Sequence, residues 1–139
     1  MTTTNETFHN MLEATHLWLR QVLEELCWED EAKAYLALKA TLHALRDRLT
    51  VDEAAHLGAH LPMLIRGMYY EGWSPAGKPV KEQRKVAFLT QVQEYFRAGE
   101  LDTEPIVRGV LTVLARHVTA GEMANIKRML APELRELWP

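Results

Sequence analysis

An internal repeat constrains the fold of this chain more than any other feature of its sequence. A shift of 69 residues (88 minus 19) places residues 19–70 on residues 88–139 without a gap. The identical positions follow the spacing of helical core residues and of predicted helix starts, so they indicate a duplicated helical unit. The identical pairs are Glu25 and Glu94, Glu31 and Glu100, Leu42 and Leu111, Leu45 and Leu114, Thr50 and Thr119, Glu53 and Glu122, Ala55 and Ala124, Leu61 and Leu130, and Arg66 and Arg135.

Helical periodicity divides each copy into three helices. The first copy is predicted to cover residues 7–70 and the second residues 80–139, joined by the breaker-rich linker 71–79. The first helix is expected from about residue 7 to residue 27, with an inward stripe at helical spacing. That stripe consists of Phe8, Leu12, Thr15, Leu19, Leu23 and Leu26. A chain of 139 residues is expected to form one domain over residues 1–139.

The third helix of each copy begins with the same capping signal. Thr50 is followed three residues later by Glu53, and Thr119 by Glu122. In such a capping box the threonine hydroxyl accepts from the amide of the glutamate, and the glutamate is expected to bond back to the threonine amide. Two equivalent caps support both helix starts.

Proline is expected to interrupt the third helix of each copy. Pro62 and Pro132 each follow soon after an apolar leucine, and a mid-helix proline removes a hydrogen bond and clashes one turn back. A kink or a break is therefore predicted near Leu61 and Ala131.

The predicted fold class is all-α, with six principal helices in two tandem three-helix repeats packed into one bundle. The fourth helix is expected over residues 80–98, capped by Gly99.

Several separate segments resemble the bacterial domain of unknown function 2267 family, over nearly the whole chain beyond its first few residues. They are residues 61–69 (LPMLIRGMY), Gly72-Trp73, Lys78-Pro79, Phe88-Leu89, residues 110–114 (VLTVL), Gly121-Glu122 and residues 132–138 (PELRELW). Ala131-Pro132 departs from the Leu-Pro expected in the family's second copy. The resemblance implies an all-helical bacterial protein, and it implies no activity.

Composition excludes several classes of function. The net charge of −3 gives no electrostatic reason to expect nucleic acid or an anionic membrane as a partner. The single cysteine, Cys27, excludes an intrachain disulfide and a cysteine-rich zinc site, and it fits a reducing compartment. The first residues lack the features of a signal peptide, and no apolar run approaches the roughly 20 residues of a membrane span. A cytoplasmic protein without a cofactor is expected.

The histidine face of the third helix is the candidate metal site. His56 and His60 are one helical turn apart, a spacing that can hold zinc or nickel, and Glu53 is a nearby third ligand. Residues in this pattern also form adventitious surface sites.

A nucleophilic serine is not indicated, because Ser74, the lone serine, is followed two residues later by Ala76 instead of the glycine of a nucleophile elbow. No catalytic residue is predicted.

Aromatic residues and an arginine form the candidate interaction surface. Tyr70 and Trp73 lie off the apolar stripe or in the linker, beside Arg66, and such groups are typical of binding hot spots. They are equally typical of side chains that cover the end of a bundle. Trp18 lies on the flank of the first stripe. We therefore predict a non-catalytic interaction or scaffold module that binds a protein partner or a second copy through Trp18, Arg66, Tyr70 and Trp73. The alternative is a metal-binding protein or metal-dependent enzyme that uses Glu53, His56 and His60.

Overall fold

The regular secondary structure of the protein is helical. The structure, a computed structural model, describes residues 3–97, 99 and 101–139, and within these residues it contains eight helices and no strand. The helices are α1 Thr4–Leu26, α2 Glu31–Asp47, α3 Val51–Ala59, α4 Met63–Tyr70, α5 Lys85–Gln93, α6 Thr103–His117, α7 Ala120–Met129 and α8 Pro132–Arg135. The predicted all-α class is confirmed. None of the helices in the described part of the chain combines the length and apolarity needed to cross a bilayer.

Helix α2 lies at the centre of the core. Every residue from 40 to 46 is buried, and the helix packs against α1, α4, α5 and α6. Helix α1 packs against α6 as well, and Gly109 allows that approach, because a Cβ there would come within 2.6 Å of Leu26 Cδ2. The core therefore contains side chains from both halves of the chain.

Each segment expected to form a third helix contains two consecutive helices. Helix α3 ends at Ala59 and α4 begins at Met63, whereas α7 ends at Met129 and α8 begins at Pro132. The extended backbone of Pro62, with φ −59° and ψ 154°, immediately precedes α4. The described residues therefore contain eight helices, whereas six principal ones were predicted, with the third of each copy kinked or broken.

Helix α5 is shorter than predicted. It covers Lys85–Gln93 instead of residues 80–98, and Ala98 lies outside the described residues. The amide of Val80 donates to the carbonyl oxygen of Asp47 at 2.9 Å, so a bond to α2 holds the chain where a helix start was expected. Gly99 has a φ of +76°, but the helix ends before it, and the prediction that Gly99 caps α5 is wrong.

The first half of α1 lies outside the core. Residues 3–10 are all exposed, and the side chains of Phe8 and Leu12 are 57% and 50% exposed. Farther along the helix, Trp18, Leu19 and Val22 are buried. The prediction that the whole stripe of α1 faces inward is therefore wrong for its first half, where none of the other helices in the described part of the chain covers Phe8 or Leu12.

Candidate functional site

Two buried glutamates meet where α3 and α7 pack against each other. Thr50 and Thr119 cap these helices through their hydroxyl groups, which accept from the amides of Glu53 and Glu122 at 3.2 Å each. The reciprocal half of the predicted capping box is absent, because both glutamate side chains turn inward. Glu53 and Glu122 are only 5% and 6% exposed. The two residues therefore form a carboxyl pair between the halves of the chain.

Neither carboxyl group of the pair is fully satisfied by hydrogen bonds. The Oε1 atoms of Glu53 and Glu122 are buried, and neither has a hydrogen-bond partner among the described residues. A buried oxygen without a donor costs free energy, and a buried charge without a partner costs more. A bound proton or cation would therefore lower the free energy of this pair.

His56 borders the carboxyl pair on its solvent side. Its side chain is 71% exposed, and its Nδ1 lies 3.9 Å from Oε2 of Glu53. One potential ligand atom from each of Glu53, His56 and Glu122 lies within 4.8 Å of the other two. The three residues therefore form one cluster, and His56 is its exposed member.

Burial dominates the protonation of Glu53. Burial is the largest cause, the hydrogen bond and negative charge of Glu122 act in the same direction, and the net effect raises the pKa of this carboxyl from 4.5 to about 7. The positive charge of Arg128 acts in the opposite direction. Near neutral pH the protein therefore holds a proton at this site part of the time.

The structure brings together two of the three predicted metal ligands. Glu53 and His56 are neighbours, but His60 is held by its own helix, with Nδ1 2.9 Å from the carbonyl oxygen of His56. Glu122 occupies the third position and was missed. The signal that would have indicated Glu122 is its equivalence to Glu53 in the repeat, at the same position after a capping threonine.

Trp18 belongs to the core. It is 2% exposed, and its ring stacks on that of His117 with 4.3 Å between centroids and 18° between planes. The side chain joins α1 to α6 and presents no exposed ring. An exposed contact through Trp18 does not fit this burial.

The other three predicted contact residues lie together at the end of α3. Arg66 donates from Nε to the carbonyl oxygen of Gly58 at 2.8 Å and from Nη2 to that of Leu61 at 2.9 Å, so its guanidinium covers the carbonyl end of α3. The ring of Tyr70 lies against Gly58, where a Cβ would overlap the tyrosine hydroxyl. Trp73 packs on Tyr70 with 5.6 Å between ring centroids. All three side chains are half-buried.

Comparison with known proteins assigns a family. A family model described as "Uncharacterized conserved protein (DUF2267)" matches residues 15–137. No curated protein gives a significant match to the chain. Because the matched region covers nearly all of the helical core, the chain belongs to the DUF2267 family of uncharacterised conserved proteins.

Proposed function

We propose that the protein is a non-catalytic interaction module that self-associates through the projecting first half of α1. The proposal rests on the apolar stripe of α1, which continues beyond the core onto an exposed part of the helix. On the buried half of α1 the stripe packs against the core through Leu19 and Val22. On the projecting half the same face presents Phe8 and Leu12, one helical turn apart and mostly exposed. Exposed apolar side chains that continue a packed face are typical of interfaces.

The proposed occupant of this face is the same segment of a second copy. A twofold interface places one patch on itself, so an antiparallel pair of α1 segments covers both stripes at once. With the axis near the middle of residues 8–13, Phe8 of one copy meets Leu12 of the other. His9 and Glu13, whose Nε2 and Oε1 atoms lie 3.9 Å apart within the same helix, flank the paired apolar side chains.

The area available limits the expected affinity. Burying the exposed part of Phe8 or of Leu12 contributes about 1 kcal/mol, or about 4 kcal/mol for the four side chains of a dimer. Association itself costs at least about 4 kcal/mol in lost freedom. The two figures nearly cancel, so a Kd of about 1 mM requires about 4 kcal/mol more from the remaining contacts along the paired α1 segments, and we expect the dimer to be no tighter than that.

Sedimentation equilibrium over a concentration series up to about 1 mM tests the proposal. The double variant Phe8→Glu with Leu12→Glu should remain monomeric, because it places charges in the interface. The matched control is Val86→Glu on α5, whose side chain is 62% exposed. This control should dimerise like the wild type. A wild-type protein that stays monomeric over the whole series would refute self-association through α1.

The residues first predicted to make the contact have a supporting role in this proposal. Arg66, Tyr70 and Trp73 pack the corner between α3 and α4, and Trp18 anchors α1 where the projecting half begins. They act by holding the module in shape. Neither a membrane nor a nucleic acid is part of the proposal.

The two halves of the module correspond to each other in sequence. We propose one domain of two tandem three-helix units, residues 7–70 and 80–139, joined by residues 71–79. The correspondence of 52 consecutive positions (70 minus 19, plus 1) and the two capping threonines at equivalent places support this. We further propose that the protein works in the bacterial cytoplasm, where its exposed Cys27 would stay reduced.

A further inference from the structure

We propose that Glu53, His56 and Glu122 bind one divalent transition-metal ion, of the kind represented by Zn²⁺, at the contact between α3 and α7. This inference is independent of self-association through α1. The site takes its ligands from both halves of the chain.

The buried carboxyl oxygens are the first argument. The side chain of Glu53 is 6% exposed, and neither its Oε1 nor that of Glu122 has a hydrogen-bond partner within residues 3–97, 99 and 101–139. Two ionised carboxylates at this place repel each other and lack donors. A divalent cation supplies the missing charge, since two carboxylates, a neutral imidazole and a 2+ ion sum to zero.

The imidazole of His56 indicates a transition-metal ion and not calcium or magnesium. Calcium and magnesium prefer oxygen ligands, whereas an imidazole nitrogen beside carboxylates suits zinc and its first-row neighbours. The exposed side chain of His56 is free to turn toward the pair, and solvent beyond it supplies the remaining ligands as water. The result is a site with three protein ligands and an open position.

The distances require only side-chain adjustment. Ligands around a tetrahedral zinc ion with bonds of about 2.0–2.2 Å lie roughly 3.4 Å apart. The three candidate ligand atoms already lie within 4.8 Å of one another. Rotation of two glutamate side chains and one histidine side chain covers the difference without moving α3 or α7.

The repeat predicts one ion per chain. The position equivalent to His56 is Asn125 (56 plus 69), and the position equivalent to His60 is Met129. The second copy therefore contributes Glu122 alone, and no second histidine faces the pair from α7. Binding would join the two halves of the chain and raise the stability of the fold.

Isothermal titration of ZnCl2 into untagged, EDTA-treated and dialysed protein at about pH 7.5 tests the site. We expect one Zn²⁺ per chain and a higher melting temperature. Glu122→Gln and His56→Ala should each weaken binding at least about tenfold. His60→Ala is the matched control and should change the Kd less than about twofold, since its ring does not face the pair.

The variants separate the proposed site from an adventitious one. If His60→Ala abolishes binding while Glu122→Gln leaves it unchanged, the ion is held by the exposed pair His56 and His60, and the proposal is wrong. Absence of Zn²⁺ binding at about 100 µM also overturns it. Circular dichroism confirms that each variant is folded, and Glu53→Gln, which keeps the shape of the side chain, gives a second test of the carboxyl pair.

Discussion

The carboxyl group of Glu53 should make the metal-free protein less stable as the pH rises from about 5 to about 7. The folded protein raises the pKa of this group from 4.5 to about 7. Between these values the folded state binds more protons than the unfolded state. The contribution to stability is therefore fully present below about pH 4.5 and is lost as the pH rises through about 7.

The magnitude follows from the two pKa values. Their difference corresponds to at most about 3.5 kcal/mol, at about 1.4 kcal/mol for each tenfold change in proton affinity. The site borders solvent at His56, which screens part of the repulsion between the carboxylates, so we expect about 2 kcal/mol.

Urea unfolding from about pH 4.5 to about pH 8, with EDTA present, measures the effect. Burial lowers the pKa of His43 and of His117, so these groups destabilise the fold toward acid pH and oppose the effect of Glu53. Comparison with Glu53→Gln removes their contribution, because both proteins contain them. The unfolding free energy of the wild type minus that of Glu53→Gln should fall by about 2 kcal/mol from pH 5 to pH 8.

The control for this experiment is Glu29→Gln, which changes an exposed glutamate before α2. The difference between the wild type and this control should stay constant over the pH range. A constant difference for Glu53→Gln as well would show that the buried carboxyl has an ordinary proton affinity, and the reasoning about the pair would be refuted.

Two further substitutions test the packing around α3. Gly58→Ala should destabilise the protein by about 1 kcal/mol in urea unfolding, because the new Cβ would overlap the side chain of Tyr70. In a Tyr70→Ala background the same change should leave the stability unchanged. Equal losses of stability in both backgrounds would contradict the contact. Tyr69→Phe should cost about 1–2 kcal/mol, because the buried hydroxyl donates to the carbonyl oxygen of Ala54 at 2.7 Å. Tyr35→Phe, at an exposed ring, serves as its control and should change stability by less than about 0.5 kcal/mol.

The sequence predicts the local features of this fold well. Helix starts at Thr50 and Thr119 follow from side-chain chemistry within three residues, and both are present. The all-α class follows from periodicity. The start of α5 at Lys85 does not follow from local signals, because the chain before it is bonded to another helix, from the amide of Val80 to the carbonyl oxygen of Asp47.

The sequence predicts the site only in part, because contacts between distant residues determine it. The repeat shows that Glu53 and Glu122 are equivalent, but equivalence does not reveal that the two side chains face each other. Periodicity likewise indicates which face of α1 is apolar, and the presence of a neighbour on that face depends on the length of the other helices. Phe8 is therefore exposed although it continues the stripe that buries Leu19.

The central position of α2 has a consequence for how the chain folds. This helix packs against α5 and α6 of the second half as well as against α1 and α4 of the first. Arg48, just after it, donates to Gln91 at 2.7 Å, and its guanidinium lies over the ring of Phe88. A first half expressed alone would leave this surface in water. We therefore expect that neither half folds alone and that the two unfold together in a single cooperative transition.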